Sequence, residues 1–137
     1  MMISTRGRYA LRVMLDLADH MESGHTPMKD VAERQGLSLK YLERILPVLT
    51  KSGMVAGIQG KGGGYRLTKA PEEYRIGEIL RLTEGGLSPV ECAGCTSEPC
   101  DRAGECRTMP LWAGLTKVVN EYLDGITLKD LMDGDVR

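Results

Sequence analysis

The sequence predicts a mainly α fold with a small β-hairpin and a long helix near the C-terminus. Three observations carry this reading. Apolar residues recur at helical spacing between residues 9 and 49, two short β-prone runs flank the stretch GKGGG, and a further helical periodicity begins near residue 109. A chain of 137 residues suits a single modest core. Because phenylalanine is absent and Trp112 is the single tryptophan, Leu, Val, Ile and Met must fill that interior.

From Tyr9 to Ala18, one apolar stripe comprises Ala10, Val13, Met14, Leu17 and Ala18, and Leu11 and Leu15 add a second. This first helix is expected to be buried on most sides. After a turn at residues 22–25, Thr26 is expected to cap a second helix with Pro27 at its first position, where the missing N–H costs nothing. Gly36 should end it. Ser38 can cap a third helix with an expected core stripe of Leu39, Leu42, Ile45, Leu46 and Leu49, its opposite face showing Lys40, Tyr41, Glu43 and Arg44. Gly53 can end that helix, and Pro47 inside it should cost about 3 kcal/mol or bend the axis. Two helices joined around Gly36, behind a buried first helix, form a helix-turn-helix pattern whose second helix would enter the major groove of DNA.

Met54–Ile58 and Tyr65–Thr68 are strand-like and enclose Gln59, Gly60, Lys61, Gly62, Gly63 and Gly64, which predicts a hairpin with a glycine-rich basic tip. A phosphate-cradling Walker loop is excluded, because the GxxxxGK spacing and the hydroxyl residue after Lys61 are both missing. Beside a helix-turn-helix, such a hairpin reads as a wing whose glycines allow close approach to a DNA backbone while Lys61 neutralises phosphate. A short helix through Ile76, Ile79, Leu80 and Leu82 should end at Gly85 and Gly86. Leu111, Leu115, Val118 or Val119, and Tyr122 then mark a helix from Met109 to Leu123, about 22 Å long. An apolar helix outside a small winged domain needs a partner surface; pairing with a second copy, as a homodimer, is expected, the alternative being packing back onto its own domain. Residues 126–132 form a last short helix. The expected organisation is a winged helix-turn-helix domain at 1–85, a cysteine-rich loop at 86–108, and a dimerisation helix with a C-terminal segment at 109–137.

The net charge of -1 conceals an asymmetry: residues 1–70 carry 11 Lys and Arg against 6 Asp and Glu, and residues 71–137 carry 7 against 13. A basic N-terminal half suits a polyanion. No apolar run approaches a membrane span, and Arg6, Arg8 and Arg12 interrupt the N-terminal apolar residues, so the expected compartment is the cytoplasm. His20 and His25 are expected at the surface rather than as ligands.

All four cysteines fall in CAGCTSEPCDRAGEC, as Cys92, Cys95, Cys100 and Cys106. In a reducing compartment such a cluster points to metal or redox chemistry rather than structural disulfides. The C-x2-C-x4-C-x5-C spacing supplies four soft ligands without a histidine. It admits an iron-sulfur cluster, a zinc site, or a thiol switch aided by Arg102 and Arg107.

The segments STRGRYALRVMLDLA, LSLKYLERIL, GKGGGYRL and ITLKDL together resemble, over nearly the whole chain, the Rrf2 family of bacterial winged-helix regulators, the group of IscR, NsrR and CymR. The match is nearest to its iron-sulfur-sensing members. The resemblance implies a homodimeric transcription factor with an iron-sulfur cluster between winged domain and dimer helix. Cys92, Cys100 and Cys106 stand where cluster-binding members have three cysteines. A histidine three residues beyond the third is replaced here by Met109, leaving Cys95 as the obvious fourth ligand. Arg8 stands where the nitric-oxide-sensing branch has an aspartate, and the branch controlling cysteine metabolism typically lacks this cysteine set.

The expected activity is therefore regulation of transcription at a double-stranded DNA operator, with no catalytic residues and a cluster of unspecified nuclearity. Arg6, Arg8, Lys40, Lys51 and Lys61 are expected to contact phosphate, and Ser38, Tyr41, Glu43 and Arg44 to face base edges. The tip residues Gln59, Gly62, Gly63 and Gly64 complete the expected DNA surface. The rivals are a zinc- or thiol-dependent regulator and, from another class, a small iron-sulfur electron carrier, which would leave the basic wing without a use.

Overall fold

The computed structural model describes residues 3–90 and 105–136. Its elements are α1 (Thr5–Asp19), α2 (Met28–Gln35), α3 (Leu39–Lys51), β1 (Val55–Ile58), β2 (Gly64–Leu67), α4 (Ile76–Glu84), α5 (Met109–Asp124) and α6 (Leu128–Asp133), with short 3-10 turns at Met21–Ser23 and Pro71–Glu73. Among the described residues no helix is long and apolar enough to cross a membrane.

α1 starts earlier than its apolar stripe, because Ser4 accepts a hydrogen bond from the Gly7 amide at 3.0 Å and caps the helix. Ala10, Val13, Met14, Leu17 and Ala18 are all buried. They meet Val31 of α2, Leu42, Ile45, Leu46 and Leu49 of α3, and Ile79 and Leu80 of α4 in one core. Each fully buried Leu, Ile, Val or Met contributes roughly 1.5–3 kcal/mol. Leu39 departs from the expected core stripe, being 43% exposed. At 3.6 residues per turn it lies about 70° from the centre of the Leu42, Ile45, Leu46 and Leu49 stripe, so at the first position of α3 it points past the core. α3 runs through Pro47 as one helix.

Thr26 also departs from expectation. Pro27, not Thr26, occupies the N-cap position of α2. Thr26 is instead buried and bridged to the wing: its amide donates to Tyr65 O at 2.8 Å, and the Tyr65 amide donates to Thr26 O at 2.9 Å. The buried backbone groups thus find partners in the hairpin rather than in a helix cap. Gly36 ends α2 in the left-handed conformation (φ 66°), as its position predicts.

β1 and β2 pair antiparallel with Val55 opposite Leu67 and Ile58 opposite Gly64. Tyr74 fixes the base of this hairpin. Its ring is fully buried, its hydroxyl donates to Met54 O at 2.7 Å, and the amides of Thr68 and Lys69 donate to it at 3.0 and 3.1 Å. Beyond Tyr74, α4 packs against α1 on one side and α5 on the other, and close approach is needed on both sides. A Cβ at Gly7 would collide with Glu84 Oε1, and one at Gly77 with Asp124 Oδ1. α6 then returns to the winged unit: Leu128 is fully buried, and its amide donates to Tyr74 O at 3.0 Å.

Candidate nucleic-acid interface and cysteine segment

α3 and the hairpin carry most of the expected DNA-facing residues. Ser38 caps α3, its Oγ accepting from the Tyr41 amide at 3.1 Å, and that hydroxyl retains its own proton to donate. Lys40, Glu43, Arg44 and Lys51 are exposed. Helical geometry puts Lys40, Arg44 and Lys51 on one outward line. Ser38, Lys40, Tyr41 and Arg44 together line a shallow cleft of about 270 Å³. Tyr41 is half-buried, its ring meeting Tyr9 edge-on with centroids 5.4 Å apart, so part of its role is to seat α3 on α1. Arg6 and Arg8 are exposed on the first turn of α1, and Arg8 donates to Thr5 Oγ1 at 3.0 Å.

At the tip of the wing Gln59, Lys61 and Gly62 are exposed. Gly62 adopts φ 79°, a conformation that favours glycine. Gly63 and Gly64 have an internal use. A Cβ on Gly63 would collide with Ile58 O, and one on the buried Gly64 with Thr26 O. These two glycines close the hairpin and dock it on the strand-like residue Thr26, which ties the wing to the start of α2.

A polar network outside the predicted set holds the helix-turn-helix in register. Asp16, 3% exposed, accepts from Arg34 Nε and Nη2 at 3.0 and 2.6 Å and from Gln35 Nε2 at 2.9 Å. Burial pushes the Asp16 carboxyl up, but hydrogen bonds from Arg34 and Gln35 and the charges of Arg34 and His20 outweigh it and hold the group below its ordinary value. Arg12 donates to Gln35 Oε1 at 3.1 Å and to Gln35 O, and lies 5.4 Å from the centroid of Tyr9. The one sequence signal for this network is an aspartate inside the apolar run LRVMLDLA. His20, expected at the surface, is half-buried, with Nδ1 2.7 Å from Asp16 O; His25 is half-buried too.

Of the four cysteines, Cys106 is described; Cys92, Cys95 and Cys100 lie outside the described residues. Cys106 is half-exposed and its Sγ lies 3.0 Å from Thr108 Oγ1. The hydrogen bonds from the Thr108 hydroxyl and amide lower its thiol pKa, favouring the thiolate form. Met109, at the position of the missing histidine, opens α5, its amide donating to Cys106 O at 3.2 Å.

α5 is held to the winged unit by polar ties. Arg81 of α4 donates to Asp124 Oδ1 and Oδ2 at 2.9 and 2.7 Å and to Asn120 Oδ1 at 2.7 Å. Asn120 in turn donates to Leu87 O at 2.9 Å, on the segment leading to the cysteines. The Arg81 hydrogen bonds also hold the Asp124 carboxyl below its ordinary value. Leu111, Leu115, Val118 and Tyr122 are exposed along the outer side, whereas Val119 and Leu123 pack toward the core.

The sequence profile of the Rrf2 family, described as "Iron-dependent Transcriptional regulator", matches residues 3–134. The chain belongs to the Rrf2 family. Among curated relatives, the HTH-type transcriptional regulator IscR of Aliivibrio salmonicida (strain LFI1238) is 40% identical over 138 residues, covering 100% of this chain and 81% of that protein. IscR of Erwinia tasmaniensis is 38% identical over 97% of this chain and 79% of its own length. Among solved structures, T. potens IscR superposes with a TM-score of 0.78 at 36% identity, covering 98% of this chain and 88% of that one. CymR (YrzC), the global cysteine regulator of B. subtilis, gives 0.80 at 37% identity, with 98% of both chains covered. As an Rrf2 member this is a winged-helix transcriptional regulator, and its named relatives are regulators rather than enzymes. The overall fold does not separate an IscR-like from a CymR-like member, so that distinction falls to the cysteines.

Proposed function

We propose that this Rrf2 regulator is a cytoplasmic homodimer that binds a specific double-stranded DNA operator with an affinity set by an iron-sulfur cluster. Cys92, Cys100 and Cys106 would hold the cluster, with Cys95 in place of the histidine lost at Met109. The observation that carries the DNA reading is the outward line of Lys40, Arg44 and Lys51 on α3, beside a wing fixed by Thr26 and tipped by Lys61. Lys40, Lys51, Lys61, Arg6 and Arg8 neutralise phosphate. Arg44 can form a bidentate contact with guanine, and Glu43 can accept from cytosine or exclude other bases.

Four thiols, no imidazole and a thiolate-favouring Cys106 fit a cluster. When bound, such a group supplies an iron- and redox-sensitive cross-link within the segment joining α4 to α5. The chain's own residues would carry that state onward. Asn120 grips Leu87 next to this segment, Arg81 grips Asp124, and Glu84 accepts from the Ser4 amide and hydroxyl at 2.9 and 2.6 Å at the start of α1. A change in the 92–106 segment would thus alter how α5 seats on α4, and with it the spacing of the two α3 helices in a dimer.

Anaerobic purification followed by absorption spectroscopy and iron, sulfide and zinc analysis tests the cofactor. Matching iron and sulfide, lost in Cys→Ala variants at each of the four positions, is expected. Colourless protein that stays colourless after reconstitution would contradict it. A thiol-switch reading is favoured by one observation, the solved oxidized form of S. aureus CymR at 36% identity and a TM-score of 0.74. That reading predicts operator binding that responds to oxidant in iron-free protein. An electron carrier predicts no salt-dependent retention on heparin or duplex DNA.

A further inference from the structure

Outside α5 and the C-terminal tail, the exposed large apolar side chains among the described residues are Leu39 and Ile58, at 43% and 54%. Both stand on the elements assigned to DNA. Leu39 is the first residue of α3 and adjoins Ser38 and Lys40 in the chain, both of which line the cleft with Tyr41 and Arg44. Leu39 and Glu43 are one helical turn apart and share a stripe that flanks the Lys40 and Arg44 line. In helix-turn-helix proteins the N-terminal residues of the second helix contact base edges. The apolar feature on the major-groove edge is the thymine 5-methyl. Ile58 has no such partner in prospect, because the minor groove that a wing can enter displays no methyl group.

We propose that Leu39 is a specificity-determining residue whose side chain contacts the 5-methyl of a thymine neighbouring the base faced by Glu43. This rests on the reading that α3 enters the major groove. Exposing Leu39 to water has no use in the core, and burying it against a methyl removes both apolar surfaces from water.

The test uses the full chain. An operator is first selected from a random duplex pool by the wild-type protein, and each of its thymines is then replaced singly by deoxyuridine, which lacks only the methyl. At one position per half-site the wild type should bind the deoxyuridine duplex roughly two- to four-fold more weakly, the effect of one buried methyl. Leu39→Ala should bind both duplexes alike at that position, and Leu39→Met should keep the discrimination. Circular dichroism and thermal melts of the variants should match wild type, since the side chain lies outside the core. If Leu39→Ala keeps the thymine preference, or weakens every sequence equally, the proposal is overturned while sequence-specific binding stands. If the pool yields no salt-dependent, selective enrichment, the DNA reading fails and the proposal falls with it.

Discussion

α1 and α5 are almost equal in length, at 15 and 16 residues, and both are rich in apolar side chains. Their burial is opposite. Seven α1 residues are buried, whereas no residue of α5 is, and Leu111 and Val118 are 61% and 62% exposed. α1 is central because α2, α4 and α6 all pack on it, but α5 meets chiefly α4 and is held by Arg81, Asp124 and Asn120. Apolar surface stabilises only when it leaves water. α1 therefore supplies stability within one chain, whereas the outer stripe of α5 is left uncovered among the described residues and would supply stability between chains in the proposed homodimer.

Substitutions can break this contrast at either end. The largest expected effect is inside α1: Met14→Ala should lower the unfolding free energy by about 2–5 kcal/mol in urea titrations. The matching change Leu111→Ala, measured in a monomeric background, should stay within about 0.5 kcal/mol. A similar loss would mean that the α5 stripe is buried within one chain. Next in size, Val118→Glu should shift the protein to monomer in sedimentation and weaken operator binding on the order of 100-fold, because the second half-site contact is no longer intramolecular. Its melting temperature at high dilution should match that of the diluted wild type.

A smaller effect belongs to the polar seat of α1 on α2. Asp16→Asn should cost about 1–3 kcal/mol by removing charged hydrogen bonds from Arg34. The pH dependence has a defined sign. The folded carboxyl lies below its ordinary value of 3.8, so its stabilisation is present above that value and is lost as pH falls through the lower folded value. Unfolding titrations between pH 6 and about 3 should show acid destabilisation that is reduced in Asp16→Asn. The smallest expected effect is on the wing: Lys61→Ala should leave stability unchanged, weaken all DNA sequences alike, and reduce the salt slope by about 0.9. Arg44→Ala should instead relax sequence preference.

The helices were legible where periodicity and caps agreed. Ser38, Gly36 and Gly85 mark ends that the structure keeps. Thr26 was misleading because its local capping chemistry competes with a partner 39 residues away, Tyr65, which no local pattern announces. Leu39 was misleading because its three-residue spacing from Leu42 suggests the core stripe, while it lies at the edge of that stripe at the helix end and is 43% exposed. The ties made by Arg12, Arg34 and Arg81 were equally hidden, since exposed arginines look alike in sequence and their carboxylate partners lie 18 and 43 residues off in the case of Arg34 and Arg81. The exposed charges on α3 and at the wing tip were readable because they need no distant partner, whereas the docking of Gly64 on Thr26 was not.

The most direct test is operator affinity measured on anaerobically purified protein, before and after treatment with an iron chelator and again after reconstitution with iron and sulfide. The coupling proposed through Asn120, Arg81 and Glu84 predicts affinities that differ at least about five-fold between the two states, in the range usual for coupled sites, and that return on reconstitution. Equal affinities across selected operators would contradict it, leaving a winged-helix regulator whose cysteine segment does not govern its binding to DNA.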